Sequence, residues 1–374
     1  MKFVNYSNIY FLGIGGIGMS ALALYFKNKG CHVSGYDRTS SNITDKLIQA
    51  GIDVHFSENI NLIPSNVDVV IYTPAIPPDN IEFKYFKEKQ IPLFKRSDIL
   101  SMITQDKYTV AVAGTHGKTS ITSMIAHILN YAGKNIEAFI GGLSKNFSSN
   151  FLYSPNPEMI VVEADEFDHS FLKLNPDIAV ITFIDPDHLD IYNNYYELHN
   201  NFNLFVNKIK PNGILLHKDD LILKYPENIN VFKYSLENNN LNSNFTIDKL
   251  KIINNKYFFD IKLNNIILKD VTCGVPGLHN VENAIAAAAV CYMLKISPDV
   301  IKKAISDYKG VERRFDFRII TPEIIYVDDY AHHPAEINAC LNSLKQLYPD
   351  RKLTVVFQPH LYTRTKDLLN EFAN

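Results

Sequence analysis

The chain has 374 residues, of which 46% are hydrophobic and 21% are charged, and its formal net charge is −3 at pH 7. This length exceeds that of one ordinary domain, so we expect two or three domains of the soluble globular class. The nearly balanced charge gives no electrostatic reason to expect nucleic acid as a partner.

The cysteines and the apolar runs indicate the setting in which the protein works. Four cysteines are scattered along the chain without CxxC spacing, which favours a reduced, cytoplasmic protein over a disulfide framework or a zinc site. The longest apolar run, 284–294, is about half of a membrane span and is typical of a buried helix. The N-terminus has no signal-peptide pattern. We therefore expect no membrane partner, and the sequence does not indicate an oligomeric state.

The chain begins with a predicted strand at 8–12, a glycine-rich loop at 13–20 and an apolar helix at 21–26. The loop, GIGGIGMS, fits the G-x-G-x-x-G pattern. A second strand, 32–36, ends at Asp37, about twenty residues beyond the last glycine, where a ribose-binding acid is expected. The pattern is typical of an NAD-binding enzyme, but any diphosphate that carries a ribose fits the same loop, including a UDP group. A further strand at 67–72 precedes a proline-rich loop, and this first domain is predicted to end near residue 106.

A second glycine-rich loop follows the apolar strand 109–113 and leads into an amphipathic helix. It reads GTHGKTS. Strand, glycine loop and helix in this order form a phosphate cradle, in which Lys118 contacts the β- and γ-phosphates and the Thr119 hydroxyl reaches a Mg²⁺. Val112 stands where the strict pattern has a glycine, so the loop is shortened. The alternative is a chance GKT turn.

Acidic residues follow two strands that read as unbroken apolar runs. Strand 159–162 delivers Glu163, and strand 178–183 is followed by a loop that contains His188. Ligands bind at the carboxyl ends of strands in an open α/β sheet. We therefore expect both side chains beside the second glycine-rich loop, residues 114–120, which we call the phosphate loop. Oxygen ligands with one imidazole suit a hard cation. Second-choice ligands, whose alternative role is helix capping or loop solvation, are Asp165, Glu166, Asp187 and Asp190.

The remaining segments carry weaker signals. Residues 214–270 are predicted to form short alternating strands. Asn280 and Asn283 share one face at the start of an Ala-rich helix, where they are either ligand contacts or capping residues. After a helix at 298–308, the pair Arg313 and Arg314 indicates a junction between domains. A third domain is predicted from strand 324–327, helix 335–348 and strand 353–357. This single βαβ unit is too small to bury a core alone, so it is docked on the second domain or truncated.

The joint order of the motifs resembles that of the Mur ligase family between Tyr10 and Asp367. The motifs are GIGGIGMS, GTHGKTS, EADE, DHLD, PGLHNVEN, RRFD, DDYAHHP and QPHLYTRT. The resemblance implies an α/β protein of three domains. These are a Rossmann-like UDP-N-acetylmuramate-binding domain (1–106), a central P-loop ATPase-type domain (107–314) and a partial C-terminal ligase domain (315–374). Within the family, the first glycine loop is most similar to that of members that add L-alanine, rather than to that of members that recycle murein tripeptide.

The resemblance also implies the chemistry. ATP, with Mg²⁺, phosphorylates the lactyl carboxylate of UDP-N-acetylmuramate, and L-alanine attacks the acyl phosphate. The implied UDP-sugar contacts are Gly15, Gly16, Gly18, Met19, Ser20 and Asp37. The implied ATP contacts are Gly114, Thr115, His116, Gly117, Lys118, Thr119, Ser120, Asn280, Asn283, Arg314 and Asp329. The implied metal ligands are Thr119, Glu163 and His188, the implied catalytic residues are Lys118, Glu163 and His188, and His360 and Arg364 are expected near the incoming alanine.

The chain departs from the common family pattern at several positions. Phe167 stands where serine is common, Asp185-Pro186 where Glu-Ala is common, and Leu361 where arginine is frequent. The third domain is also shorter than in other members, so we expect it to be truncated.

Two other functions remain open at this point. A nicotinamide oxidoreductase would use the first glycine loop but leaves the second loop and the acidic strand ends unexplained. A non-catalytic protein that binds UDP-sugar and ATP is the other alternative, and the short third domain is the feature that supports it.

Overall fold

A computed structural model describes residues 6–186, 191–192, 194–237 and 242–373. In this part of the chain, three consecutive α/β units follow one another, as expected from the sequence. None of the described helices combines the length and apolar character that a membrane span requires.

The first unit is built on a parallel sheet with the strand order β3-β2-β1-β4-β5. Its elements are β1 (Asn8–Leu12), α1 (Ile17–Asn28), β2 (His32–Tyr36), α2 (Asn42–Gln49), β3 (Asp53–His55), β4 (Val69–Tyr72), α3 (Ile81–Glu88), β5 (Leu93–Lys95) and α4 (Arg96–Thr104). Both faces of β1 are buried, which is why its residues 9–12 are apolar. Ile9 and Phe11 belong to one hydrophobic cluster, and Tyr10 and Leu12 belong to another. The strand order reverses beside β1, which places the first glycine loop at the switch point where ligands bind in such sheets.

The central unit is built on a ten-stranded sheet within the described residues, with the order β15-β14-β13-β12-β11-β10-β6-β9-β7-β8. The strands are β6 (Tyr108–Ala113), β7 (Ile136–Ser144), β8 (Ser149–Leu152), β9 (Met159–Glu163), β10 (Ile178–Ile181), β11 (Ile214–Lys218), β12 (Asn230–Tyr234), β13 (Phe245–Ile253), β14 (Lys256–Leu263) and β15 (Ile266–Thr272). The helices are α5 (Lys118–Tyr131), α6 (Tyr195–Val206), α7 (Leu278–Met293) and α8 (Pro298–Asp307).

The phosphate-loop strand β6 lies inside this sheet, between β10 and β9, and is parallel to both. This confirms that the three strands present their carboxyl ends along one edge. The helix after the loop, α5, packs with α7 in one hydrophobic cluster that contains Ile121, Ile125 and the alanines of α7. The predicted short strands between 214 and 270 are also confirmed, and β13, β14 and β15 are antiparallel.

The third unit contains β16 (Asp316–Ile320), β17 (Ile325–Asp328), α9 (Pro334–Leu347), α10 (Tyr362–Asp367) and α11 (Leu369–Ala373). β16 and β17 pair antiparallel, and α9 follows β17. The predicted βαβ unit is wrong because its second strand is missing from the described part of the chain. The predicted strand at 353–357 is not formed, since that segment has no ladder partner among the described residues and Val356 is 96% exposed. Apolar β-branched residues favour a strand, but the backbone forms one only beside a neighbouring strand.

The junction between the central and third units is a short segment with unusual backbone angles. Arg313 has φ 59° and Phe315 has φ 47°, a left-handed conformation that non-glycine residues adopt rarely. The buried Asp316 carboxylate anchors the segment, because it pairs with Lys145 and Arg318 and accepts the backbone N–H of Arg313. The paired arginines therefore lie in a segment whose backbone is held by the contacts of Asp316.

Candidate active site

The second glycine-rich loop is hydrogen-bonded to the two residues that follow strand β10. Thr115 donates its N–H to the Phe183 carbonyl at 2.9 Å, and the Thr182 hydroxyl donates to the His116 carbonyl. A Cβ on Gly114 (φ +133°) would collide with Thr182, which is why the loop needs glycine there. In the described chain no side chain caps α5. Its first-turn N–H groups therefore suit an anion.

The Lys118 side chain is partly buried, and its ammonium is paired with a carboxylate. Nζ lies 2.8 Å and 2.6 Å from the two carboxylate oxygens of Glu166 and 2.6 Å from the Gly114 carbonyl. Burial alone would lower the pKa of Lys118, but the Glu166 and Asp165 carboxylates outweigh burial and raise it. Glu166 was only a second-choice metal ligand from sequence, and the structure assigns it a different partner.

Glu163 and Thr119 lie beside the same pair of glycines on β7. Glu163 accepts the Gly141 N–H at 3.0 Å, and the position of a Cβ on Gly142 is 3.1 Å from Thr119 Cγ2. Glu163 and Thr119 both carry side-chain oxygen atoms, the ligand type that Mg²⁺ prefers. The third predicted ligand, His188, lies outside the described residues, as do Asp187 and Asp190. Among the described residues, no group of three or more His, Cys, Asp or Glu side chains forms a metal site.

A cavity of about 390 Å³ lies between the first and central units and reaches Glu163. Gly16, Gly18 and Met19 of the first glycine loop line it. The Lys95 and Arg96 side chains also line it, and these two cations were not predicted.

Both cations are paired with acids of the segment after β9. Lys95 Nζ lies 2.8 Å from Asp168 Oδ2, and Arg96 Nη2 lies 3.5 Å from Asp165 Oδ2. A Cβ on Gly18 would meet Arg96 Nη1 at 2.7 Å, so the guanidinium packs directly on the glycine loop. The sequence signal was a basic pair at the end of a short strand, which is too common to identify a site by itself.

The other predicted UDP-sugar residues, Gly15, Ser20 and Asp37, make hydrogen bonds within the protein. The Asp37 carboxylate accepts the Gly15 N–H at 2.8 Å, and the buried Ser20 hydroxyl accepts a bond from Asn150 at 2.9 Å. Gly15, Ser20 and Asp37 do not line the cavity of about 390 Å³.

A second cavity, of about 590 Å³, lies between the central and third units. It brings together seven of the predicted ATP contacts: His116, Gly117, Ser120, Asn280, Asn283, Arg314 and Asp329. Asn283 lies against the loop, because a Cβ on Gly117 (φ +78°) would meet its Oδ1 at 2.9 Å. The Asn280 amide donates to the Pro276 carbonyl at 3.0 Å, which fixes it at the start of α7.

The junction residues close one side of this second cavity. Asp329 accepts the N–H groups of Phe315 and Ala331, each at 2.8 Å. Burial raises the pKa of Asp329 in spite of these two bonds. The Arg314 guanidinium lies 3.8 Å from the Glu336 carboxylate on α9.

His116 connects the phosphate loop to the third unit. Its ring nitrogens lie 3.0 Å from Asp185 Oδ2 and 3.0 Å from Glu336 Oε1. Burial opposes the charged ring, yet the two carboxylates raise the pKa of His116 to about 9. Burial would raise the pKa of Glu336, but the adjacent His116 holds it well below its ordinary value.

The two residues predicted near the amino acid are close to each other but line neither cavity. Arg364 Nη1 lies 3.4 Å from His360 Nδ1, and His360 Nε2 lies 3.3 Å from the Tyr330 hydroxyl. Their connection to the site is through Tyr330, whose ring is covered by Arg313 and Arg314.

Three family models match the chain in sequence order. The Mur ligase family catalytic domain matches residues 8–108, the Mur ligase middle domain matches 112–291, and the Mur ligase glutamate ligase domain matches 313–374.

Known proteins match over nearly the whole chain. UDP-N-acetylmuramate–L-alanine ligase of Flavobacterium psychrophilum is 46% identical over 370 residues, which are 98% of this chain and 80% of the relative. The enzyme of the same name from Phocaeicola vulgatus is 43% identical over 376 residues, covering 98% of this chain and 81% of the relative.

Solved structures agree with these matches. The crystal structure of UDP-N-acetylmuramate–alanine ligase from Thermotoga maritima has a TM-score of 0.83 at 28% identity and covers 96% of this chain and 83% of that one. A murein peptide ligase from Psychrobacter arcticus has a TM-score of 0.77 at 25% identity and covers 95% of this chain and 79% of that one.

Proposed function

Because the chain belongs to the Mur ligase family, we propose that it joins L-alanine to the lactyl carboxylate of UDP-N-acetylmuramate at the expense of ATP. The observation that carries the proposal is the relation of the two cavities. The first is lined by Gly16, Gly18 and Met19 of the first glycine loop and reaches Glu163. The second is lined by His116, Gly117 and Ser120 of the phosphate loop. The strands that carry Glu163 and the phosphate loop are direct neighbours. A sugar nucleotide and ATP bound in these cavities would therefore meet at one edge of the sheet.

The proposed reaction has two steps. A lactyl carboxylate oxygen attacks the γ-phosphorus of ATP, the bond to the β,γ-bridging oxygen breaks, and ADP leaves. The amine of L-alanine then attacks the acyl carbon, the bond from that carbon to the phosphate oxygen breaks, and inorganic phosphate leaves as the nitrogen loses a proton. The products are UDP-N-acetylmuramoyl-L-alanine, ADP and phosphate.

The first step brings two anions together, so positive charge at the phosphates is the main requirement. Lys118 supplies it, together with the N–H groups of the loop and of the first turn of α5. Thr119, Glu163 and His188 are the residues that would hold Mg²⁺. When bound there, Mg²⁺ supplies further positive charge to the phosphate oxygens.

Substrate binding is divided among the three domains, for which we propose the bounds 1–106, 107–314 and 315–374. The first glycine loop binds the diphosphate of the sugar nucleotide. Asn280 and Asn283 bind the nucleoside side of ATP, and Arg314 and Asp329 complete that site from the junction. His360 and Arg364 remain the proposed residues on the amino-acid side. We also propose a cytoplasmic location, which agrees with the four unpaired cysteines.

The oxidoreductase hypothesis has less support. It uses the first glycine loop but gives no role to Lys118 or to the cavity of about 590 Å³. Protection of the fold against heat by NADH, without protection by UDP-N-acetylmuramate, would favour it.

The deciding experiment is phosphate release by the 374-residue chain with ATP and Mg²⁺. Reactions contain UDP-N-acetylmuramate and L-alanine together, each alone, or neither. We expect release only when both are present, and mass spectrometry of the product should show the added alanine. Release that does not depend on the sugar nucleotide would contradict the proposal. Binding of both nucleotides without turnover would support the non-catalytic alternative.

A further inference from the structure

The Lys118 ammonium has no donor to spare in the described structure. An ammonium group carries three N–H donors. The three acceptors within 2.8 Å of Nζ are the Gly114 carbonyl and the two carboxylate oxygens of Glu166. The lysine that should contact phosphate is therefore fully coordinated before any phosphate arrives.

The Glu166 side chain is built into the protein rather than placed on a mobile surface. The residue has 0% of its surface exposed. Its backbone carbonyl accepts the hydroxyl of the buried Tyr192 and the N–H of His169, the latter at 3.1 Å. These two bonds hold the backbone carbonyl of Glu166 in place.

We propose that Glu166 is the resident counter-ion of Lys118, and that the phosphates of the nucleotide must displace it in order to bind. This inference rests on the proposed function, since it requires that the loop binds a nucleotide polyphosphate. A phosphate oxygen on Lys118 takes over at least one donor that Glu166 now holds. Two anions then face one ammonium in a water-poor site, where their repulsion is strong. Glu166 therefore costs affinity for phosphate, and it stabilises the partly buried lysine when no nucleotide is bound.

The proposal separates ligands by their phosphates. ATP and ADP place a β-phosphate at Lys118, whereas AMP does not reach it. Removal of the Glu166 charge should therefore tighten ATP and ADP and leave AMP unchanged. If Glu166 only maintained the fold, its substitution would lower the affinity for ATP, ADP and AMP alike.

The test is isothermal titration of ADP, ATP and AMP into the wild-type chain, Glu166→Gln and Glu166→Asp. Glutamine keeps the shape without the charge, and aspartate keeps the charge but withdraws it by one methylene. We expect ADP to bind Glu166→Gln about tenfold more tightly than the wild type, with Glu166→Asp between them. In steady-state assays the KM for ATP should fall in the same order, without a rise in kcat.

A matched control is Glu137→Gln. Glu137 is a buried carboxylate of the same unit, paired with Lys29 at 3.3 Å and absent from both cavities. This variant removes a buried charge from the same unit and should leave the affinity for ADP unchanged. Weaker or unchanged ADP binding by Glu166→Gln, with AMP as reference, would overturn the proposal. If Glu166→Gln does not fold, Glu166→Asp decides alone: tighter ADP binding supports the proposal and weaker or equal binding overturns it.

The wild-type titration separates this inference from the function on which it rests. A wild-type chain that binds neither ATP nor ADP would overturn both. A wild-type chain that binds them and turns over, beside a Glu166→Gln variant with the same affinity, would overturn the role of Glu166 alone.

Discussion

The two glycine-rich loops share a backbone design but differ in their charges. Both follow a buried central strand and lead into a helix whose start has no side-chain cap among the residues that the structure describes. The first loop has no cation of its own, and the Asp37 carboxylate lies behind it on the Gly15 N–H. Its cations, Lys95 and Arg96, come from another element. The second loop carries Lys118 within it, held by a buried acid.

This difference matches two tasks. A diphosphate that stays intact needs only to be held, and N–H groups with cations at the edge suffice for that. A phosphoryl group that is transferred changes its charge distribution during the reaction, so its cation must be placed at the reacting atoms. Under the proposed function, the first loop would hold a diphosphate and the second would take part in phosphoryl transfer.

The largest effect expected from this division is on Lys118→Ala. We expect turnover to fall on the order of 10³-fold, because the charge at the transferred phosphoryl group is lost. The affinity for UDP-N-acetylmuramate should stay within a factor of two, since that ligand is held by the first unit. Phosphate release and titration calorimetry measure the two quantities. A parallel loss of sugar-nucleotide affinity would show that the two loops are not separate sites.

Arg96→Ala is expected to have a smaller effect, and to weaken the binding of the sugar nucleotide rather than that of ADP. The guanidinium packs on the first loop and lines its cavity, and a charge-assisted bond to phosphate contributes about 1.5–3 kcal/mol. The dissociation constant for UDP-N-acetylmuramate should therefore rise roughly 10- to 100-fold, with ADP binding unchanged. Lys87→Ala removes an exposed cation of α3 and serves as the matched control. If both variants bind the sugar nucleotide equally well, Arg96 has no role in that site.

The smallest effect expected is a pH dependence that belongs to the second loop alone. The pKa of His116 is raised from 6.5 to about 9, so its stabilising contribution is full below about pH 6.5 and is lost as the pH rises through about 9. On the acid side, the depressed pKa of Glu336 means that its contribution is lost as the pH falls below its ordinary value of 4.5.

Melting curves of the wild type and His116→Gln between pH 6 and pH 9.5 test this expectation. The wild type should be more stable by a few degrees at pH 6, and the difference should shrink towards pH 9.5. A difference that is constant over this range would mean that the charge on His116 does not contribute. Variants of the first loop should show no such trend.

Much of the scaffold was predictable because it follows from local pattern. Apolar runs gave the strands that carry the loops, and glycine spacing gave both phosphate cradles. The placement of Lys118 and Glu163 at one edge of the sheet was predictable for the same reason, since the residue after a buried parallel strand lies at that edge. Their roles stay predictions.

The parts that were missed depend on contacts between distant residues. Glu166 is 48 positions from Lys118, and nothing in EADE indicates which acid faces a lysine and which faces a metal. Arg96 meets Asp165 only because the first and central units pack together. The strand predicted at 353–357 failed for a related reason, since strand formation depends on a neighbour that local sequence does not specify. The predicted role of His188 stays a prediction.

The position of β6 inside its sheet has a consequence for synthesis on the ribosome. The loop that follows β6 is complete only when β10 lies on one side and α7 covers α5 from the other. Those elements lie at 178–181 and 278–293, far behind the loop in the order of translation. The cavity beside the first glycine loop is lined by residues up to Ser170, which are made before α7. A nascent chain therefore acquires the cavity of about 390 Å³ before the cavity of about 590 Å³, and an arrested chain that ends before α7 should retain the former and lack the latter.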